Sequence, residues 1–236
     1  MNGPAAVSDA LVAAIQAGDI TGLRQLLVEH PGVAWAPLGG RHKSRTPLHA
    51  VADWPGYFPN GPQIVRLLVE AGADPDARQP GDETPLHWAA SSDDWHVAAA
   101  LIDAGADMNA PDGSIGTPLE NAVGYGCWDV ARLLVARGAG VGQPWVAAAL
   151  GLLDQLAELL GDEPPSEQVS QAFWHACSGG QRRAAEYLLV RGADVGWIPE
   201  YAEGTPLDAA TGQGTQRANL VAWLRDHDAR SADPDR

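Results

Sequence analysis

Thr84-Pro85-Leu86-His87-Trp88-Ala89-Ala90, followed by the apolar run VAAALIDAGAD from Val97 to Asp107, is the stretch on which the reading of this chain turns. It recurs. Thr46-Pro47-Leu48-His49-Ala50, Thr117-Pro118-Leu119-Glu120-Asn121-Ala122 and Thr205-Pro206-Leu207-Asp208-Ala209-Ala210 are imperfect copies, each followed by a segment rich in Leu or Ala. The threonines at 46, 84 and 117 stand 38 and 33 residues apart, a spacing that belongs to repeat architectures. Each Thr-Pro pair fits a helix start, because proline presets φ and needs no helical N–H there. Gly72, in Gly72-Ala73-Asp74, is placed to end a second helix in a left-handed turn. A helix pair this short is not stable alone, so neighbouring pairs must stack.

Outward from the best copy, the units become less regular. Toward the N-terminus, the insertion Asp53-Trp54-Pro55-Gly56-Tyr57-Phe58-Pro59-Asn60-Gly61 accounts for the longer first interval. Before it lies a turn-rich connection, residues 31 to 45, carrying Trp35 and the basic cluster Arg41, His42, Lys43 and Arg45. The first pair, a helix capped by Ser8 and running to Ala17 and another from Thr21 to Glu29, lacks the Thr-Pro opening, as a terminal capping unit does. Toward the C-terminus, Gln143-Pro144-Trp145-Val146-Ala147-Ala148-Ala149 takes the place of the opening motif. Gly138 precedes Pro144 by 6 residues, whereas Gly105 precedes Pro118 by 13, so the turn projecting between those units is nearly absent. Residues 161–165 break the chain again. Two further pairs follow, one around Phe173-Trp174-His175 and one beginning at Thr205.

The T-P-L-H-x-A opening, the paired helices and the closing G-A-D resemble those of the ankyrin-repeat family, closely at Thr84–Asp107, well at Thr46 and Thr117, and partially at Thr205. The resemblance implies an all-α ankyrin-repeat solenoid of about seven helix-turn-helix units with short β-turn fingers. It is drawn as one domain over residues 1–230, with units near 5–33, 42–74, 80–107, 113–139, 142–162, 166–194 and 201–229, and a flexible tail at 231–236. By the same resemblance His49 and His87 bond locally in their turns and are structural.

Bulk properties exclude several classes of function. The 236 residues carry 30 acidic and 15 basic side chains, a formal charge of −15, which repels phosphate backbones and argues against nucleic acid. No run approaches the roughly 18 apolar residues of a membrane span, and the N-terminus lacks the basic region of a secretory signal. Cys127 and Cys177 have neither metal-ligand spacing nor a disulfide framework, which fits a reducing, cytoplasmic setting. Lys43 is the only lysine while Ala, Gly, Asp and Arg abound, a composition that suggests a high-GC bacterial coding bias.

In the family the resemblance names, partners are gripped by the fingertips and by the positions just after each first helix. On this chain those positions give a concave face of His42, Lys43, Arg45, Asp53, Trp54, Tyr57, Phe58, Glu83, Ser91, Ser92 and Tyr125, engaging another protein without catalysis. Exposed aromatics are common anchors in interfaces. The alternative for Trp54, Tyr57 and Phe58 is that they fold back over the insertion's own helix ends. Ser114, Tyr201 and Glu203 are further fingertips. Trp145, Trp174 and Trp223 read as core, while Trp95 and Trp128, equivalent in consecutive units, read as steps of an aromatic ladder.

A second reading belongs to a different class. His49, His87 and Glu120 occupy one position in three consecutive units and would line up in a row. With Trp88, Trp128 and Trp145 they would border a notch where the projecting turn after Gly138 is lost, fit for a small-molecule binding protein or an enzyme. Stacked helices lie about 10 Å apart, too far for the row to share one metal ion. No phosphate-binding glycine loop, nucleophile elbow or HExxH motif is present. No catalytic residue, metal ligand or cofactor is therefore assigned.

Overall fold

The computed structural model describes residues 4–38, 45–78, 83–211 and 217–233. Among them there are fourteen helices and no strand. They pair in sequence: α1 (Pro4–Ala17) with α2 (Ile20–Glu29), α3 (Pro47–Ala52) with α4 (Gly61–Glu70), α5 (Pro85–Ser92) with α6 (Trp95–Asp103), and α7 (Pro118–Gly124) with α8 (Trp128–Ala136). The series continues with α9 (Pro144–Leu150) and α10 (Leu153–Leu160), α11 (Ser166–Ser178) and α12 (Arg182–Val190), and α13 (Pro206–Thr211) and α14 (Ala218–Asp226). These are the expected seven pairs. The chain groups into two compact units, Met1–Gly140 and Val141–Arg236, where the sequence reading drew one domain. The division falls beside the shortened connection after Gly138. No helix among the described residues is long and apolar enough to cross a membrane.

The opening motif works as a cap. Thr46, Thr84 and Thr117 are extended residues ahead of a proline at the first helical turn. Three residues on, a side chain reaches back to the threonine N–H. Nδ1 of His49 accepts it at 3.1 Å, Nδ1 of His87 at 3.1 Å and Oε2 of Glu120 at 2.7 Å. Asp208 does the same for Thr205 at 2.9 Å. This is reciprocal capping, with histidine in two units standing where glutamate usually stands. Because Nδ1 accepts, the proton sits on Nε2, which donates to Glu83 O from His49 and to Gly116 O from His87, both at 3.1 Å. Each histidine thus ties its own helix start to the finger of the next unit.

The closing motif is equally determined. Gly105, at φ +96°, turns the chain so that Ala106 N–H reaches back to Leu101 O at 3.0 Å. This bond satisfies one of the carbonyls that a helix end leaves open. Asp107 then accepts Asn109 N–H at 2.9 Å, while its own N–H goes to Asp76 of the preceding unit at 2.8 Å. Gly140 N–H reaches Asn109 in the same way at 2.7 Å.

In the first unit α5 lies between α3 and α7, and α6 between α4 and α8. The core is layered from Leu48, Leu86 and Leu119 of the first helices and Ile64, Leu68, Leu101 and Leu134 of the second, all inaccessible or nearly so. Alanines at 89, 90, 98, 122 and 131 let the layers approach closely. The second unit is built around fully buried Phe173 on α11, with Leu156, Leu188, Leu220, Trp223 and Leu224 about it. Trp223 is buried as expected. Trp145 and Trp174 are half-buried instead, and both rings border His175, at 4.6 and 5.0 Å between centroids.

Other expectations need adjustment. The first helix begins at Pro4, not after Ser8, since proline and the alanines behind it start a helix as well as a serine cap does. The aromatic ladder does not form: Trp95 is exposed and stacks on its neighbour His96 at 3.7 Å, and Trp128 is half-buried with no ring partner among the described residues. The segment drawn as a tail starts by turning back on the seventh pair. Thr205 Oγ1 donates to Arg230 O at 2.8 Å, and Ala232 N–H goes to Asp208 at 2.8 Å. Residues 234–236 lie outside the described residues.

Candidate functional site

The first unit carries a cavity of about 250 Å³ on the side of its first helices and fingers. Ala52, Asp53 and Trp54 come from the end of α3, and Trp88, Ser91 and Ser92 from α5. Glu83, Ser114 and Tyr125 complete the wall, from the fingers before α5 and α7 and the end of α7. Trp54 is 79% exposed and Tyr125 54%, so both side chains are open to solvent. Three consecutive repeats each contribute an aromatic side chain.

The polar groups of the cavity are fixed by neighbours. Arg45 Nη1 holds Asp53 Oδ2 at 2.8 Å. Glu83 Oε1 accepts Ser114 N–H at 2.8 Å and the Asn121 side-chain amide at 3.1 Å. Burial pushes the Glu83 carboxyl upward, but these hydrogen bonds outweigh it and hold the group below the usual carboxylate range. Tyr125 OH and Ser114 Oγ are 3.2 Å apart. Ser91 donates to His87 O at 3.0 Å and Ser92 to Ala52 O at 3.0 Å, so neither hydroxyl hydrogen faces the cavity unspent. Trp88 stands edge-on to His49 at 5.1 Å.

Six residues read from sequence as the concave face line this cavity: Asp53, Trp54, Glu83, Ser91, Ser92 and Tyr125. Arg45 supports it through Asp53. Tyr57 and Phe58 do not line it. The Tyr57 hydroxyl donates to Asp93 O at 2.7 Å, its N–H goes to Asp94 Oδ2, and its ring meets His96 edge-on at 6.2 Å. The insertion is thereby pinned to the following unit, and Tyr57 is part of the pin. Phe58 is half-buried. His42 and Lys43 lie outside the described residues.

The alternative set divides between the two units. His49 and His87 are buried, both nitrogens of each are engaged as described, and burial holds both below the ordinary histidine range despite backbone acceptors that oppose it. Glu120 caps α7. Trp88 belongs to the concave cavity. Trp128 lies at the start of α8 in the first unit, and Trp145 against His175 in the second. No group of three or more His, Cys, Asp or Glu among the described residues is arranged to hold a metal ion.

The key residue that sequence reading passed over is Asn121. It is fully buried and occupies the variable position of the motif, where the preceding units have Ala50 and Trp88. Its Oδ1 takes Ile115 N–H at 3.0 Å and Gly116 N–H at 3.3 Å, while its amide steadies Glu83. A lone amide between Leu119 and Ala122 was the available signal. In the second unit a cavity of about 390 Å³ is bordered by Glu167, Gln168 and Gln171 of α11 and by Trp197, Glu200 and Tyr201 of the following finger. There the Tyr201 hydroxyl is committed to His175 Nε2 at 2.9 Å.

Stacked helix pairs with a finger-lined concave wall define a repeat-type binding scaffold. Residues 57–144 match the family model described as Ankyrin repeats (3 copies), and a comparison with curated proteins gave no match. Over residues 57–144 the chain carries ankyrin repeats. Ankyrin repeats generally serve protein–protein interaction and are typically not catalytic.

Proposed function

We propose that this chain is a non-enzymatic interaction module that engages a protein partner on the concave face of its first unit, around Trp54, Trp88 and Tyr125. The observation that carries this reading is the convergence of three aromatic side chains from successive repeats on one cavity, two of them more than half exposed. A solvated aromatic wall with ordered polar neighbours is the usual make-up of an interface centre. The buried, unpaired Cys127 and Cys177 are at home in a reducing compartment and support a cytoplasmic setting. Burial lifts the Cys127 thiol to about 11, so it stays protonated and acts as core.

The test is recovery of a partner on the immobilised chain from the native lysate. A stoichiometric partner should be retained by wild type and lost from a Trp54→Ala, Tyr125→Ala double variant whose circular dichroism is unchanged. A partner held equally by both would refute the assignment. Saturable tryptophan quenching by a metabolite, with no protein recovered, would favour the small-molecule alternative instead.

A further inference from the structure

The concave cavity has a sign as well as a shape. Asp53 and Glu83 both line it, but they are not equivalent. Asp53 is neutralised by Arg45 at 2.8 Å, whereas among the described residues no ion pair is made by Glu83. Its bonds from Ser114 N–H and Asn121 fall on Oε1, and together with the Ser114 hydroxyl they orient the carboxylate without cancelling its charge. Around this anion stand Trp54, Trp88 and Tyr125, whose ring faces carry the negative part of the aromatic quadrupole. A fixed carboxylate among aromatic faces favours a cation with flat apolar surfaces, and guanidinium fits both features, forking onto a carboxylate and stacking on a ring. The net charge of −15 draws positively charged surfaces toward the chain.

Resting on the reading that the concave face binds a protein, we infer that the cavity seats an arginine side chain of the partner, its guanidinium on Glu83 and its plane against Trp54 or Tyr125. Oε2 of Glu83 is the oxygen it would take. A lysine is held less well, since a compact, strongly hydrated ammonium neither forks nor stacks.

The experiment titrates the tryptophan fluorescence of the full chain with a short glycine–serine peptide bearing one central arginine. The same peptide carrying citrulline, of like shape but neutral, is run beside it. The arginine peptide should saturate, and the citrulline peptide should bind about tenfold or more weaker, as expected for loss of a charge-assisted bond. Glu83→Gln can still accept from Ser114 and Asn121, so it should melt like wild type while binding arginine no better than citrulline. Equal binding of the two peptides, an unaltered Glu83→Gln, or no saturable response to the arginine peptide would each overturn the inference. Those results leave partner recovery and its loss in the Trp54→Ala, Tyr125→Ala variant untouched, so failure of the cation and failure of the concave face are told apart.

Discussion

The histidine of the two Thr-Pro-Leu-His openings is a three-way clamp, and its energetic weight follows from what its removal would strand. His87→Ala leaves the Thr84 N–H and the Gly116 carbonyl without their partner in a buried setting. It should cost about 2–4 kcal/mol in urea denaturation, the sum expected for two stranded buried groups. A loss well under about 1 kcal/mol would mean that water replaces the ring at no penalty. His175 gives a pH signature instead. Burial alone sets it at about 4, against 6.5 for the free side chain. Because the folded value lies below the unfolded one, the unfolded chain takes up the proton first as pH falls. Stability from this group is complete above about 6.5 and declines to about 4, by roughly 3 kcal/mol. His175→Phe keeps a ring beside Trp145 and Trp174 but cannot titrate. The difference between wild type and variant in urea midpoint should therefore change across that window and be flat above it.

Secondary elements were legible wherever backbone needs dictate the residue. The Thr-Pro openings placed the starts of α3, α5, α7 and α13, and the Gly-Ala-Asp closings the turns after α4 and α6, since only a few side chains satisfy those geometries. What the sequence did not disclose is contact between units. Asp93 and Asp94 are adjacent in the chain, yet they serve different elements. Asp94 Oδ1 caps α6 through Val97 N–H at 3.0 Å, while Asp93 Oδ1 takes Val130 and Asp129 N–H at 3.0 and 3.2 Å at the start of α8. Neighbours in the chain thus point into different repeats, which no periodicity records. Asp94 also receives Tyr57 N–H, so it links the insertion to α6. Asp94→Ala should cost about 1–2 kcal/mol as a lost cap and raise hydrogen exchange across residues 53–60. Unchanged exchange there would show that the hydroxyl bond of Tyr57 to Asp93 holds the insertion by itself.

At the scale of the molecule, two compact units with separate cores should respond separately to core damage. Phe173→Ala removes the largest fully buried side chain and should cost about 3–5 kcal/mol. Native-state hydrogen exchange should then show protection lost in residues 141–236 at lower denaturant than in 1–140. Simultaneous loss would mean that the seven pairs unfold as one cooperative body. The concave cavity lies wholly in the first unit. Most of its wall was readable from motif register, because a residue's offset from Thr-Pro fixes which side of the stack it occupies. Asn121 was not readable, since its role depends on reaching Glu83 in the preceding finger.

The central claim is that this face of the first unit is where a partner sits. A photo-reactive phenylalanine placed at position 54 replaces one exposed ring by another, and the same group at Arg132, whose side chain is 67% exposed on α8, marks the second-helix surface. After irradiation in the native lysate, a discrete protein adduct should form from position 54 and not from position 132. An adduct formed from position 132 with none from position 54 would contradict the account.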